Sequence, residues 1–316
     1  MSPKISLTSG DINSILVAST SMKLDAHKYF RMRDLDDINV ASRSKFEIFL
    51  PSTNLKSKFS YVQADINKPE LNTKGRLISL DTFDGYFFVE HELTDKVTLE
   101  TLLELEKIHL VKKYPNLYDG NIISFEAKLS NAFSDKLRLG PLLKSSYTKI
   151  KKPKRFLSHT IAVNSKYEAS HRLNMGGYMG LQLYNNHESL CKNSFTFKYN
   201  IEYMLSFPSK IVAEVKQKMV TTMDGSVFQK TILNSKLFLL VYRMLALGIS
   251  ASTQYHNYKN YGRHDRLTNF GINFRAYFGK NKYIDILSYQ FAHNHSDMVG
   301  KSYVAHTISS NIYYEF

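Results

Sequence analysis

LTNFGINFRAYFGKNKYIDILSYQFAHNHSDMVGKSYVAHTISSNIYYEF, residues 267–316, is the stretch that decides the fold. It reads as three alternating strands separated by two polar turns. In the first strand Phe270, Ile272, Phe274, Ala276 and Phe278 share one face, and Gly271, Asn273, Arg275 and Tyr277 take the other. In the last, Ile308, Ile312, Tyr314 and Phe316 alternate with Thr307, Ser309, Asn311 and Glu315. A period of two sends successive side chains to opposite faces of a sheet. A chain that stops on an aromatic inside such a strand reads as a membrane β-barrel closing its own sheet.

The same alternation recurs upstream. Phe46, Ile48 and Leu50 alternate with Lys45 and Glu47; Ile123, Phe125, Ala127 and Leu129 with Ser124, Glu126 and Lys128. Phe195, Phe197, Tyr199, Ile201 and Tyr203 are set against Thr196, Lys198, Asn200 and Glu202. Ile211, Ala213 and Val215 oppose Glu214, Lys216 and Lys218. Runs of about ten residues are what a tilted strand needs to cross a bilayer. Asp84-Gly85, Asp119-Gly120, Gly140-Pro141, Phe207-Pro208, Asp224-Gly225, Gly279-Lys280-Asn281 and Asn294 to Gly300 read as turns between them, because Gly, Asn and Asp supply the backbone angles tight hairpins require. The expected fold is therefore all-β: a single transmembrane antiparallel β-barrel over residues 1–316, of about sixteen strands, with 1–11 as an N-terminal extension. An early strand is expected near Ile12 to Ser21. Leu93 to Lys113 stays open between a short loop helix and two distorted strands, since Leu99, Leu102, Leu103 and Glu106 also fit helical spacing.

Composition names the solvent. The mean hydropathy is only −0.30 although 43% of residues are hydrophobic, as expected where alternate residues alone face lipid. The longest apolar run, Leu237 to Ile249, is broken by Arg243 and is too short for a spanning helix. The 21 Tyr and 20 Phe suit strands and the headgroup belt. The single cysteine, Cys191, forbids an internal disulfide. The opening MSPKISLTSGDIN has neither a signal-peptide pattern nor an Arg-rich presequence. A barrel without these is expected in an organellar outer membrane, a processed bacterial chain being the alternative.

The net charge is +14. Most of it is spread along polar strand faces, a pattern that fits a basic lumen better than a nucleic-acid stripe. The exception is the cluster Lys149, Lys151, Lys152, Lys154 and Arg155 around Pro153. It reads either as a solvated loop or as an attraction for anionic lipid heads or acidic client segments. Chemistry is otherwise absent. His293-Asn294-His295 places two imidazoles on one strand face, but a metal needs a third ligand. There is no phosphate loop, HExxH, cysteine cluster or GxSxG elbow. No enzyme activity, no catalytic or metal-binding residue and no cofactor is expected.

The closing segment resembles the end of the Sam50 family, the mitochondrial branch of the Omp85 outer-membrane barrel-assembly proteins. The resemblance rests on Asn269-Phe270-Gly271-Ile272-Asn273-Phe274-Arg275, on Tyr283-Ile284-Asp285-Ile286-Leu287-Ser288-Tyr289, and on the last strand, Val304 to Phe316, after a polar loop with Asp297 and Lys301. The chain departs from the family in lacking its Arg-Gly-Phe motif, in carrying Asn311 where its sorting signal has Gly, and in leaving no room for a full POTRA domain. The resemblance implies insertion of other barrels into a mitochondrial or mitosomal outer membrane through a lateral gate between first and last strands. Val304, Ile308, Ser310, Ile312, Tyr314 and Phe316 would form the closing strand. The implied partners are membrane lipids, client β-barrel precursors and accessory subunits, without nucleic acid. The alternative is a barrel like the voltage-dependent anion channel and Tom40, a 19-stranded channel for metabolites or preproteins. A soluble β protein is the third class, disfavoured by so many alternate aromatics with no helix to cover them.

Overall fold

The computed structural model describes residues 4–9, 16–27, 37–66, 78–111, 119–150, 155–186, 189–221, 227–242, 244–258, 262–277, 282–298 and 302–314. They form one sheet of seventeen strands. In chain order these are β1 (Lys4–Ser9), β2 (Leu16–His27), β3 (Asp37–Leu50), β4 (Thr53–Ile66), β5 (Ile78–Thr94) and β6 (Val97–Leu110). Next come β7 (Gly120–Ala132), β8 (Leu137–Ile150), β9 (Arg155–Ser170), β10 (Leu173–Asn186), β11 (Ser189–Ser206) and β12 (Ser209–Thr221). The last are β13 (Val227–Tyr242), β14 (Leu245–Tyr258), β15 (Arg263–Tyr277), β16 (Lys282–Ser296) and β17 (Tyr303–Tyr314).

Each strand pairs antiparallel with the next, so the chain is an uninterrupted meander. It is a transmembrane β-barrel. No helix among the described residues is long and apolar enough to cross a membrane; the crossing is made by strands. Odd-to-even connections are mostly short, as at Pro51-Ser52, Asp95-Lys96, His171-Arg172 and Phe207-Pro208. Even-to-odd connections are mostly longer, as at 28–36, 67–77 and 111–119. The barrel thus has a turn end and a loop end, the asymmetry of outer-membrane barrels. Because seventeen is odd, β1 and β17 run in the same direction, and they approach within 8 Å, Cα to Cα.

Lipid-facing and lumenal positions follow the pleat. Phe59 (56% exposed), Leu181 and Ile308 (72%) stand on the outer face, while Leu142, on the opposite parity, is only 2% exposed. The barrel is not uniformly round. Second-neighbour strands in a flat sheet lie about 9.5 Å apart, yet β7 approaches β9, and β10 approaches β12, within 8 Å. The sheet therefore bends sharply at β8 and again at β11. Glycine permits the approach: a Cβ at Gly140 would sit 2.0 Å from the Leu129 carbonyl oxygen on β7, and one at Gly177 1.9 Å from that of Lys198 on β11. At the first bend the β7–β8 ladder is interrupted between the Lys128–Leu142 and Asn131–Leu139 pairs, with its register unchanged. The Asn164 amide, reaching from β9, bridges the gap. Its Nδ2 donates to the carbonyls of Leu129 (3.0 Å), Gly140 (2.7 Å) and Pro141 (3.2 Å), and its Oδ1 accepts from Ser130 at 3.2 Å.

Four expectations are corrected. Asp84-Gly85 lies inside β5, Gly140-Pro141 inside β8, and Asn294 to Ser296 still in β16, so none of these is a turn; Asp224-Gly225 and Gly279-Lys280-Asn281 lie outside the described residues. Gly140 serves close backbone packing, and Gly85 lies in mid-strand beside the Phe59 ring. Leu93 to Lys113 holds the end of β5 and then β6, the two-strand alternative left open above, and no helix among its described residues. Leu99, Leu103 and Leu105 share the outer face, and Leu102 merely counterfeits a helical spacing. The extension at 1–11 contains β1, paired with β2 from Lys4–Lys23 to Ser9–Ala18. Six residues are too few for their alternation to register in the sequence. The early strand is β2, with residues 12–15 outside the described residues.

Candidate functional site in the barrel lumen

The inner face carries the charge that the sequence spread along its strands. Glu126 on β7 takes Lys144 of β8 at 3.1 Å, and Glu104 on β6 lies 3.9 Å from the same ammonium. Lys128 reaches Glu100 at 2.7 Å. On the other wall Glu214 receives Lys216 at 3.0 Å and Lys198 at 3.6 Å, and Lys210 pairs with Glu202 at 2.9 Å. The registers then stack further cations on the same parity: Lys218 opposes Lys230, and Val212 opposes Lys236. Lysines outnumber carboxylates on the inner faces of β12 and β13.

Lys218 is the centre of this face. It is exposed to the lumen and lies within electrostatic reach of Lys144, Lys216, Lys230 and Glu104. Positions on β6, β8, β12 and β13 thus converge on one space. The bends at β8 and β11 make the convergence possible, because they turn the two walls toward each other. Like charges held together in this way raise the local concentration of anions.

Toward the loop end the lumen turns apolar. Ile150, Phe156 and Tyr184 are buried, with Met219 and Val227 packed on them. The Phe156 and Tyr184 rings lie 5.9 Å apart, and Tyr184 Oη shares a hydrogen bond with Thr221. A second group sits beside it. Phe228 stacks on Tyr258 at 4.6 Å and meets His256 at 4.9 Å. The Arg263 guanidinium lies 4.5 Å over the Tyr258 ring, and its Nε donates to Asp265 at 2.9 Å. Ser296 donates to the same carboxylate. Asp265 and Asn294 are buried. The lumen is therefore layered, a charged middle beneath an aromatic collar.

The sequence-derived residues fall elsewhere. In the closing strand Val304, Ile308 and Ser310 are exposed on the outer face of β17. Ile312 and Tyr314 hold strand positions, and Phe316 is outside the described residues. Of the basic cluster, Lys149 is the last residue but one of β8 and Arg155 begins β9, paired with each other, while Lys151, Lys152 and Lys154 are outside the described residues. The histidines do not converge: His256 is lumenal and buried, whereas His306 faces outward against Tyr289 Oη at 2.9 Å. Among the described residues no group of three His, Cys, Asp or Glu could hold a metal. Sequence reading missed the Lys144–Lys218–Lys230 grouping. Its only trace was the alternation of lysines with apolar residues, which gives parity but no cross-lumen distance.

No family model and no curated protein matches the chain. Solved structures do. The FrpB iron transporter from Neisseria meningitidis is 6% identical, covers 92% of this chain and 59% of its own, and has a TM-score of 0.51. The ferripyoverdine receptor of the outer membrane of Pseudomonas aeruginosa is 10% identical, with 96% and 56% coverage and a TM-score of 0.51. The copper transporter OprC is 8% identical, with 88% and 58% coverage and a TM-score of 0.51. The chain has the fold of an outer-membrane β-barrel. It spans less than two thirds of the length of these structures, and at such identities the likeness is one of fold alone.

Proposed function

We propose that the chain is a transport barrel of an outer membrane whose lumen favours anionic solutes. The observation that carries this reading is Lys218, exposed in the lumen with Lys216 two positions back on the same face, Lys230 directly across the ladder, and Lys144 and Glu104 within electrostatic reach. A cation-lined passage with low-dielectric walls concentrates anions and repels cations. The aromatic collar at the loop end would narrow the path and set its gate. Catalysis plays no part in the proposal. The test is the reversal potential of the purified barrel in a planar bilayer under a potassium chloride gradient. Anion selectivity is expected, weakened by Lys218→Glu. Cation selectivity in the unaltered protein, or a Lys218→Glu variant with unchanged selectivity, would refute it.

A second reading, barrel assembly through a lateral gate, is favoured by one feature of the seam. β1 has six residues where its neighbour β2 has twelve. Among the described residues β1 therefore offers β17 six residues at most, a slighter junction than those between consecutive strands. A client strand could add to an edge exposed there through main-chain hydrogen bonds. Depletion separates the readings: an assembly protein lowers the levels of other barrels, whereas a pore changes solute flux first and leaves those levels intact. The location follows the reading. A bacterial outer membrane is supported by the origin of the ferripyoverdine receptor, and a mitochondrial or mitosomal one rests on the Sam50 resemblance. Fractionation of the native cell tests both.

A further inference from the structure

The outer face of β4–β9 combines two features that neither pore nor gate uses. The first is a cationic row. Lys107 pairs with Asn121, Asn121 with Lys149, and Lys149 with Arg155, so four consecutive strands contribute one position each. All four side chains are exposed. Alternation from Leu105, Ile123, Tyr147 and Leu157 places them on the lipid-facing parity. At a strand spacing of about 4.8 Å the row runs about 14 Å around the barrel, at the loop-side border of the apolar band.

The second feature is a depression of about 510 Å³ immediately on its turn side. Gly85 forms the floor, between Phe59 and Leu105, with Ile123 on the far wall and Lys107 and Asn121 at the loop-side rim. The nearby carboxylates are engaged or face away. Asp119 pairs with His109 at 3.2 Å, and Asp81 accepts from Tyr61 at 3.2 Å. Asp84 and Glu106 have lumenal parity.

We propose that this face binds a phosphorylated lipid, its phosphate on Lys107, Lys149 and Arg155 and an alkyl chain in the Gly85 depression. Charge complementarity selects the head, and the apolar walls, already bathed in hydrocarbon, select the chain. The same chemistry is offered by an anionic glycerophospholipid and by a phosphorylated glycolipid. The site does not depend on what passes through the lumen, only on the barrel being in a membrane.

The barrel, purified in a non-ionic detergent, is incubated with equal amounts of phosphatidylglycerol and phosphatidylcholine, and retained lipid is read by native mass spectrometry. A preference for the anionic lipid of roughly fivefold per cation engaged is expected. The combined Lys107→Gln, Lys149→Gln and Arg155→Gln variant should lose it. Equal retention by the unaltered protein, or an undiminished preference in the variant, would overturn the proposal. Lys107→Gln alone keeps the test alive if the triple variant does not fold. Gly85→Leu, whose Cβ meets only the flexible Phe59 ring at 3.3 Å, should lower retention of both lipids. Unchanged retention would remove the chain from the depression, and Ile123→Phe serves if Gly85→Leu fails to fold. Repeating the competition with lipid A assigns the source. Preference for it over phosphatidylglycerol names the glycolipid, the reverse names the glycerophospholipid, and loss of either preference in the triple variant confirms the shared phosphate site.

Discussion

Asn164→Ala should cost this barrel far more stability than a polar side chain usually contributes. The amide is 2% exposed and spreads two N–H donors over three main-chain carbonyls, those of Leu129, Gly140 and Pro141. Those carbonyls lie where the β7–β8 ladder skips its rungs, and Pro141 has no N–H to contribute. Truncation to Ala leaves at least two acceptors without their donor in a water-poor site. A buried group left unsatisfied costs about 1–3 kcal/mol, so a loss of roughly 2–4 kcal/mol is expected, about a hundredfold in the folding equilibrium. The assay is reversible urea unfolding of the barrel in lipid vesicles, followed by tyrosine fluorescence, with the slope compared between variants to show that the same surface is exposed. Ser130→Ala removes only the bond to Asn164 Oδ1 and should cost about 1 kcal/mol. An Asn164→Ala variant within about 0.5 kcal/mol of the parent would refute the view that this side chain substitutes for missing ladder bonds.

Ile308→Arg puts a charge on the lipid face of β17; it should cost about 2–4 kcal/mol at mid-bilayer depth and sharply reduce the folded, heat-modifiable band on electrophoresis. Gly180→Val should prevent folding altogether, since its Cβ would lie 2.1 Å from the Ile161 carbonyl; native mobility of that variant would contradict the close approach. Asp265→Asn takes the buried carboxylate away from the half-buried Arg263, at a cost of about 2–4 kcal/mol, and loosens the collar around Tyr258. Lower thermal stability together with larger single-channel conductance is the expected pair of results, and a conductance unchanged by the loss would detach Arg263 and Asp265 from the gate.

Much of the fold was legible because a barrel repeats one simple instruction. Phe195 to Tyr203 alternates so cleanly that β11 and its outward face could be read without coordinates. What the sequence concealed was glycine used for proximity. Gly85 and Gly140 look like turn residues because most glycines beside Asp or Pro are, and only the neighbouring strands reveal that both lie in mid-strand and that at Gly140 the missing Cβ is what lets two backbones meet. Leu93 to Lys113 stayed ambiguous through Leu102, an apolar residue on the lumenal face of a strand whose Leu99, Leu103 and Leu105 point out. The lumenal lysines were each visible as polar-face residues, but their grouping depends on register summed over β6 to β13 and on two bends. A periodicity argument carries parity along one strand and nothing about distance across a pore. The cationic row was half visible: Lys149 and Arg155 stood out as a cluster, while Lys107 joins them only through Asn121.

The odd number of strands has a consequence for any experiment that labels the chain. Lys4 opens β1 at the loop end, and Tyr314 closes β17 at the turn end. The two extremities of the sheet therefore point toward opposite ends of the barrel. An epitope ahead of β1 and another behind β17 would report on opposite sides of one bilayer, and a protease or antibody admitted to a single side would find only one of them.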